Sequence, residues 1–138
     1  MTIKKIFYFS FFIITIISCN EPLEINNENI LGSWKAEKFI SKIADIPPEY
    51  AEAGEKEFLS SIYILNPDNS MEMRSDYFKD GAKGHWELNG DTKEISMFYE
   101  YDTIKGIEKY IVTSLSKNQL VLRQDIDEQS FVELTLIK

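Results

Sequence analysis

The chain contains one cysteine, Cys19, and one histidine, His85. A lone thiol forms no intramolecular disulfide, and it cannot supply the several ligands that a thiolate metal cluster needs. A lone imidazole likewise excludes a His-rich metal site. His85 lies in Lys83–Leu88, where Gly84, Trp86 and Leu88 alternate with Lys83, His85 and Glu87. Its parity is that of its charged neighbours, so it reads as an outward residue. Ser60, Ser61 and Ser114 have no histidine at a spacing that suggests activation. Asp125-Ile126-Asp127-Glu128 offers oxygen ligands of the kind Ca²⁺ takes, but an acidic run between two strand patterns reads first as a solvated turn. No catalytic group, metal or cofactor is therefore expected, and the chain reads as a non-enzyme. What remains is a thiol in a distinctive position and a set of large apolar side chains.

The position of Cys19 is set by what precedes it. Lys4 and Lys5 are followed by the apolar run IFYFSFFIITIIS, residues 6–18, which is shorter than the ~20 residues of a spanning helix and matches the core of a secretory signal. It ends in Ile16-Ile17-Ser18-Cys19, which resembles a bacterial lipobox: an aliphatic residue three before the cysteine and a small one just before it. The resemblance implies a signal peptide over residues 1–18 and lipid on Cys19. Several acyl chains, at about 0.8 kcal/mol per buried methylene, would give lasting membrane attachment. The alternatives are an uncleaved anchor, or a plain signal peptide with a chance cysteine. Asn20, rather than Asp, follows the cysteine, and in the sorting logic this resembles it points to the outer membrane. Residues 19–29 (CNEPLEINNEN) are polar, acidic and proline-containing, and read as a flexible tether with a reach of up to roughly 30 Å.

The 138 residues suffice for one domain, and the formal net charge is −8. Lys4 and Lys5 are the only charges in the first 18 residues, so the remainder is more acidic still. Such a body is repelled by nucleic acid, which is excluded as a partner. With 43% hydrophobic and 13% aromatic residues, disorder is excluded as well.

The elements that position the large side chains read as strands over residues 30–138. The first, Ile30–Phe39, opens on Gly32-Ser33-Trp34. Ser41–Glu57 is the longest connection; Pro47-Pro48 stops the strand, and Glu49–Ala53 reads as a short helix that Gly54 ends. Strands are then expected at Phe58–Leu65, Ser70–Ser75, Lys83–Leu88, Lys93–Glu100, Ile107–Leu115, Gln119–Gln124 and Phe131–Ile137. They are separated by Asn66-Pro67-Asp68-Asn69, Asp80-Gly81, Asn89-Gly90-Asp91, the Asp102–Gly106 loop, Lys117-Asn118 and the acidic turn. About eight strands joined mostly by hairpins make an all-β, antiparallel meander. An up-and-down barrel would remove its edges, and a sandwich is the alternative. The inward set comprises Trp34, Met71, Met73, Trp86, Leu88, Ile95, Met97 and Tyr99.

Leu31-Gly32-Ser33-Trp34, the long first loop, Gly84-His85-Trp86-Glu87-Leu88-Asn89-Gly90-Asp91, Tyr110-Ile111-Val112 and Leu120-Val121-Leu122 together resemble the lipocalin-like domains of small bacterial lipoproteins. The resemblance implies that Gly32 and Trp34 form the barrel floor, with Trp34 under a basic side chain for which Arg123 and Lys138 are candidates. It also implies that Ser41–Glu57 folds over the open end. The expected function is a small apolar ligand held in a barrel on the outer membrane, against a candidate cavity of Trp34, Met71, Met73, Trp86, Met97 and Tyr99. The alternative is a filled barrel that contacts an envelope protein partner through its acidic face or first loop. A cavity lined by Met71, Met73, Met97 and Tyr99 would favour the first. A filled interior with an exposed apolar patch around Ile46, Pro47 and Tyr50 would favour the second.

Overall fold

A computed structural model describes residues 21–138. The expectations for residues 1–18, and for lipid on Cys19, lie outside the described residues.

Eight antiparallel strands close into one barrel, each paired with its sequence neighbours and the last with the first. They are β1 (Gly32–Lys42), β2 (Ile62–Leu65), β3 (Ser70–Arg74), β4 (Ala82–Leu88), β5 (Glu94–Tyr101), β6 (Ile104–Leu115), β7 (Gln119–Asp125) and β8 (Phe131–Ile137). The helix α1 (Pro48–Leu59) connects β1 to β2. Closure pairs Lys35 with Ile137 and Lys42 with Phe131, so neither edge strand is left open.

The expected strand beginning at Phe58 is corrected. The helix runs on through Gly54 to Leu59, and the strand starts at Ile62. Glu55, Lys56 and Glu57 are good helix formers, and Gly54 stands in open space where its lack of a side chain does not end the turn. Phe58 then stacks on Phe39 of β1, ring centroids 4.6 Å apart, which ties the helix to the barrel rim. The Asp102–Gly106 loop is shorter than expected as well. Tyr101 pairs with Ile104 across a two-residue turn at Asp102-Thr103, where Asp102 takes φ 54°.

The core is the barrel interior. Trp34, Met71, Met73, Trp86, Ile95 and Met97 are buried, and Leu88 and Tyr99 pack against them. The floor is sealed by two indoles. Trp34 is fully buried and its Nε1 donates to the Ile30 carbonyl at 2.8 Å; Trp86 Nε1 donates to the Asn66 carbonyl at 3.1 Å. Of the two candidate basic partners, Lys138 covers Trp34, its Nζ 4.6 Å from the ring centroid. Arg123 lies over Phe131 instead and pairs with Asp125. Gly32, at φ 128°, is in a region that favours glycine, and a Cβ there would meet Lys138 Cε at 3.0 Å.

Residues 21–29 do not behave as the expected flexible tether. Pro22 bridges to Ser116, the Leu23 amide donates to the Leu115 carbonyl at 2.8 Å, and Ile25 packs on the core. The Asn29 amide donates to Asn26 Oδ1 at 2.9 Å and Asn29 Nδ2 donates to the Glu24 carbonyl at 2.9 Å, which folds the segment into a compact turn. The polar composition that suggested a linker is spent on these turn bonds, while Ile25 and Ile30 anchor the segment by burial.

Candidate functional site

The mouth lies at the opposite end, ringed by α1, the β3–β4 connection (residues 75–81), the Asp102-Thr103 turn and the acidic turn. Beneath α1 is a cavity of about 230 Å³. Phe58 and Ser61 line it from the helix side, Met73, Tyr77 and Phe78 from β3 and its following loop, and Tyr63, Tyr99 and Glu108 from the barrel wall. Glu57 and Ser75 complete the lining.

Glu108 is the unexpected member. In β6 it pairs with Met97 of β5, and paired residues share a face, so its carboxylate is turned inward. Tyr63 Oη and Tyr110 Oη donate to its Oε2 at 3.4 and 3.3 Å. Burial pushes the Glu108 carboxyl above its ordinary range, against the opposing pull of hydrogen bonds from Tyr110, Tyr63 and Tyr99. Burial likewise raises the Tyr63, Tyr99 and Tyr110 hydroxyls, with the Glu108 charge adding to each. These tyrosines are therefore neutral donors throughout the physiological range.

Tyr99 owes its place to bare neighbours. It sits in register between Gly84 of β4 and Gly106 of β6. A Cβ on Gly106 would come within 2.1 Å of the Tyr99 ring, so only glycine lets the ring lie across β6 toward Glu108. Phe78 makes edge contacts with Tyr99 and Tyr101, at 5.6 and 5.0 Å between centroids, and builds an aromatic wall on that side.

Glu57 fastens the cover. Ser75 Oγ donates to Glu57 Oε1, the Tyr77 amide reaches the same oxygen at 3.4 Å, and Ser60 Oγ accepts from the Asp76 amide at 3.0 Å. The last turn of α1 is thus joined to the β3–β4 loop across the opening.

Of the six large residues expected at a cavity, the structure brings Met73 and Tyr99 to the mouth. Met71 and Met97 lie in the packed interior, and Trp34 and Trp86 are at the floor. Glu108 was missed because β6 carries apolar residues on both faces, with Ile107 and Ile111 opposing Tyr110 and Val112. The signal that identifies it is its place two residues before Tyr110 and four before Val112.

His85 is exposed and stacks on Phe98 at 4.6 Å on the outer wall. Two carboxylates of the acidic turn, Asp125 and Asp127, are engaged locally. Asp127 Oδ1 accepts from the Gln129 and Ser130 amides at 2.8 Å each, and the backbone bond from Gln129 leads in lowering its carboxyl below the usual range. A wider depression of about 490 Å³ lies over His85, Phe98 and Ile107. It is open to solvent along the sheet, and the Lys105–Glu100 pair at 2.9 Å occupies its rim.

The eight-stranded antiparallel barrel with a helix after its first strand is consistent with a lipocalin-like calycin fold. Compared with known proteins, the chain matches no family model, no curated protein and no solved structure.

Proposed function

We propose that this protein is a lipocalin-like lipoprotein of the bacterial outer membrane that binds a small molecule at the mouth of its barrel. The observation that carries the binding reading is the cavity of about 230 Å³ under α1, lined by aromatic rings and by the inward Glu108 carboxylate. Keeping a carboxylate in such a place disfavours folding, and a ligand that uses the group gives a reason to retain it. The packed interior leaves the mouth, rather than the centre, as the place for a guest. The cavity falls below the ~300 Å³ at which drug-sized pockets begin, so the guest is small. The reading is one of binding and not of catalysis.

The membrane part of the proposal rests on the lipobox-like Ile16–Cys19. Three peptide steps separate Cys19 from Pro22, which is already bridged to Ser116, so about 10 Å of chain joins the lipid to the barrel. That favours a barrel standing floor-down on the membrane with its mouth turned away.

A second reading, a module that contacts an envelope protein, is favoured by the filled interior and by Ile46 and Tyr50, which are exposed beside and on the lid helix, Tyr50 at 69%. Native mass spectrometry of the full chain released from membranes tests both. The expected result is a mass increment removed by Cys19→Ala, together with a small-molecule adduct. An unmodified Cys19 overturns the anchor. A guest-free barrel that co-purifies with a stoichiometric protein replaces the first reading with the second.

A further inference from the structure

The charge of the mouth cavity says what kind of small molecule suits it. Among the described residues, its lining includes two carboxylates, Glu57 and Glu108, and neither lysine nor arginine. An anionic guest such as a fatty acid would therefore bring a third carboxylate against two others with no cation to balance them, which is unfavourable at short range in a partly desolvated site. The rest of the lining is aromatic and small polar: Tyr63, Tyr77, Phe78 and Tyr99, with Ser61 and Ser75. Ring faces carry negative potential and attract cations. Among the described residues, the Tyr63 and Tyr110 hydrogen bonds both fall on Glu108 Oε2, and Tyr99 stands beside the same carboxylate at the cavity edge, so the carboxylate is held facing the guest. Glu57 is held by Ser75 and the Tyr77 amide and closes the opposite side of the opening.

We propose that the mouth cavity binds a small organic cation, an alkyl or aryl ammonium, with its charged head on the Glu108 carboxylate inside the ring of Tyr63, Tyr77, Phe78 and Tyr99. This rests on the mouth-binding reading and adds the sign of the ligand's charge. Met73 and Phe58 supply apolar surface for the body of the guest.

The test is calorimetric titration of the full chain with three probes of one shape: phenethylamine (cation), 2-phenylethanol (neutral) and phenylacetate (anion). The expected order places phenethylamine first, about tenfold or more tighter than 2-phenylethanol, a difference of about 1.4 kcal/mol or more, with phenylacetate weakest. Glu108→Gln should remove the preference for the amine over 2-phenylethanol, bringing the two affinities together. Tyr77→Ala, at an exposed position, gives a second variant that keeps the fold and should weaken the amine selectively. Equal binding of amine and alcohol, or tighter binding of phenylacetate, overturns the cation assignment and leaves the mouth site standing. A lack of saturable binding by all three probes overturns the mouth site itself.

Discussion

Glu108 is held at the junction of two opposing demands. Burial favours its protonated form, while Tyr63, Tyr99 and Tyr110 donate hydrogen bonds that favour the ionised one, and burial wins. Because its carboxyl is raised in the folded chain, its contribution to stability is full below the ordinary carboxylate range. That contribution is lost as pH rises through the raised value. Among the described residues, Glu57 and Tyr77 across the cavity and the three tyrosines are the titratable groups that face it. Glu108→Gln keeps an acceptor for the tyrosines and removes the charge. Thermal denaturation should find the Gln variant more stable than the parent at about pH 7.5, with the gap closing toward about pH 4. A variant less stable than the parent at neutral pH contradicts this account of the residue. Little of this was legible in sequence. One Glu among 23 acids stands out only once the register of β6 against β5 is known.

At the level of elements, β4, β5 and β6 form the wall that presents the site. Gly84 and Gly106 flank Tyr99 in the ladder, and the Tyr99 ring uses the space that Gly106 leaves. Gly106→Ala pushes a methyl group into that ring. We expect a loss of about 1–3 kcal/mol, typical of overpacking, together with weaker binding at the mouth, because the ring must leave the cavity edge. Chemical denaturation and probe titration measure the two effects. The hairpin turns and most strands were readable from Asn-Gly, Asp-Gly and period-two alternation. The helix end was not, because Gly54 is a stop signal only when a tertiary partner does not pull the next turn onward, and Phe58 on Phe39 does so. The segment 21–29 misled for a related reason. Its polar side chains suit a linker and a hydrogen-bonded turn equally well, and Ile25 and Ile30 decide between them only when there is a floor to bury them.

For the whole molecule, the barrel divides into a sealed end and a used end. Trp34, Trp86 and Lys138 close the floor, and residues 22–30 dock there. The mouth carries the helix, the aromatic wall and the inward carboxylate. The inward set read from alternation does form the interior, but large side chains pack together in small barrels, so most of it supports the site rather than touching a guest. Binding is therefore expected to be confined to the mouth. Amide chemical-shift mapping during titration with phenethylamine tests it most directly. Shifts are expected to cluster on Glu57–Tyr63, Met73–Phe78 and Tyr99–Glu108, with Trp34, Leu65 and Lys138 unmoved. Shifts centred on the floor residues, or on the outer wall at His85 and Ile107, would contradict it.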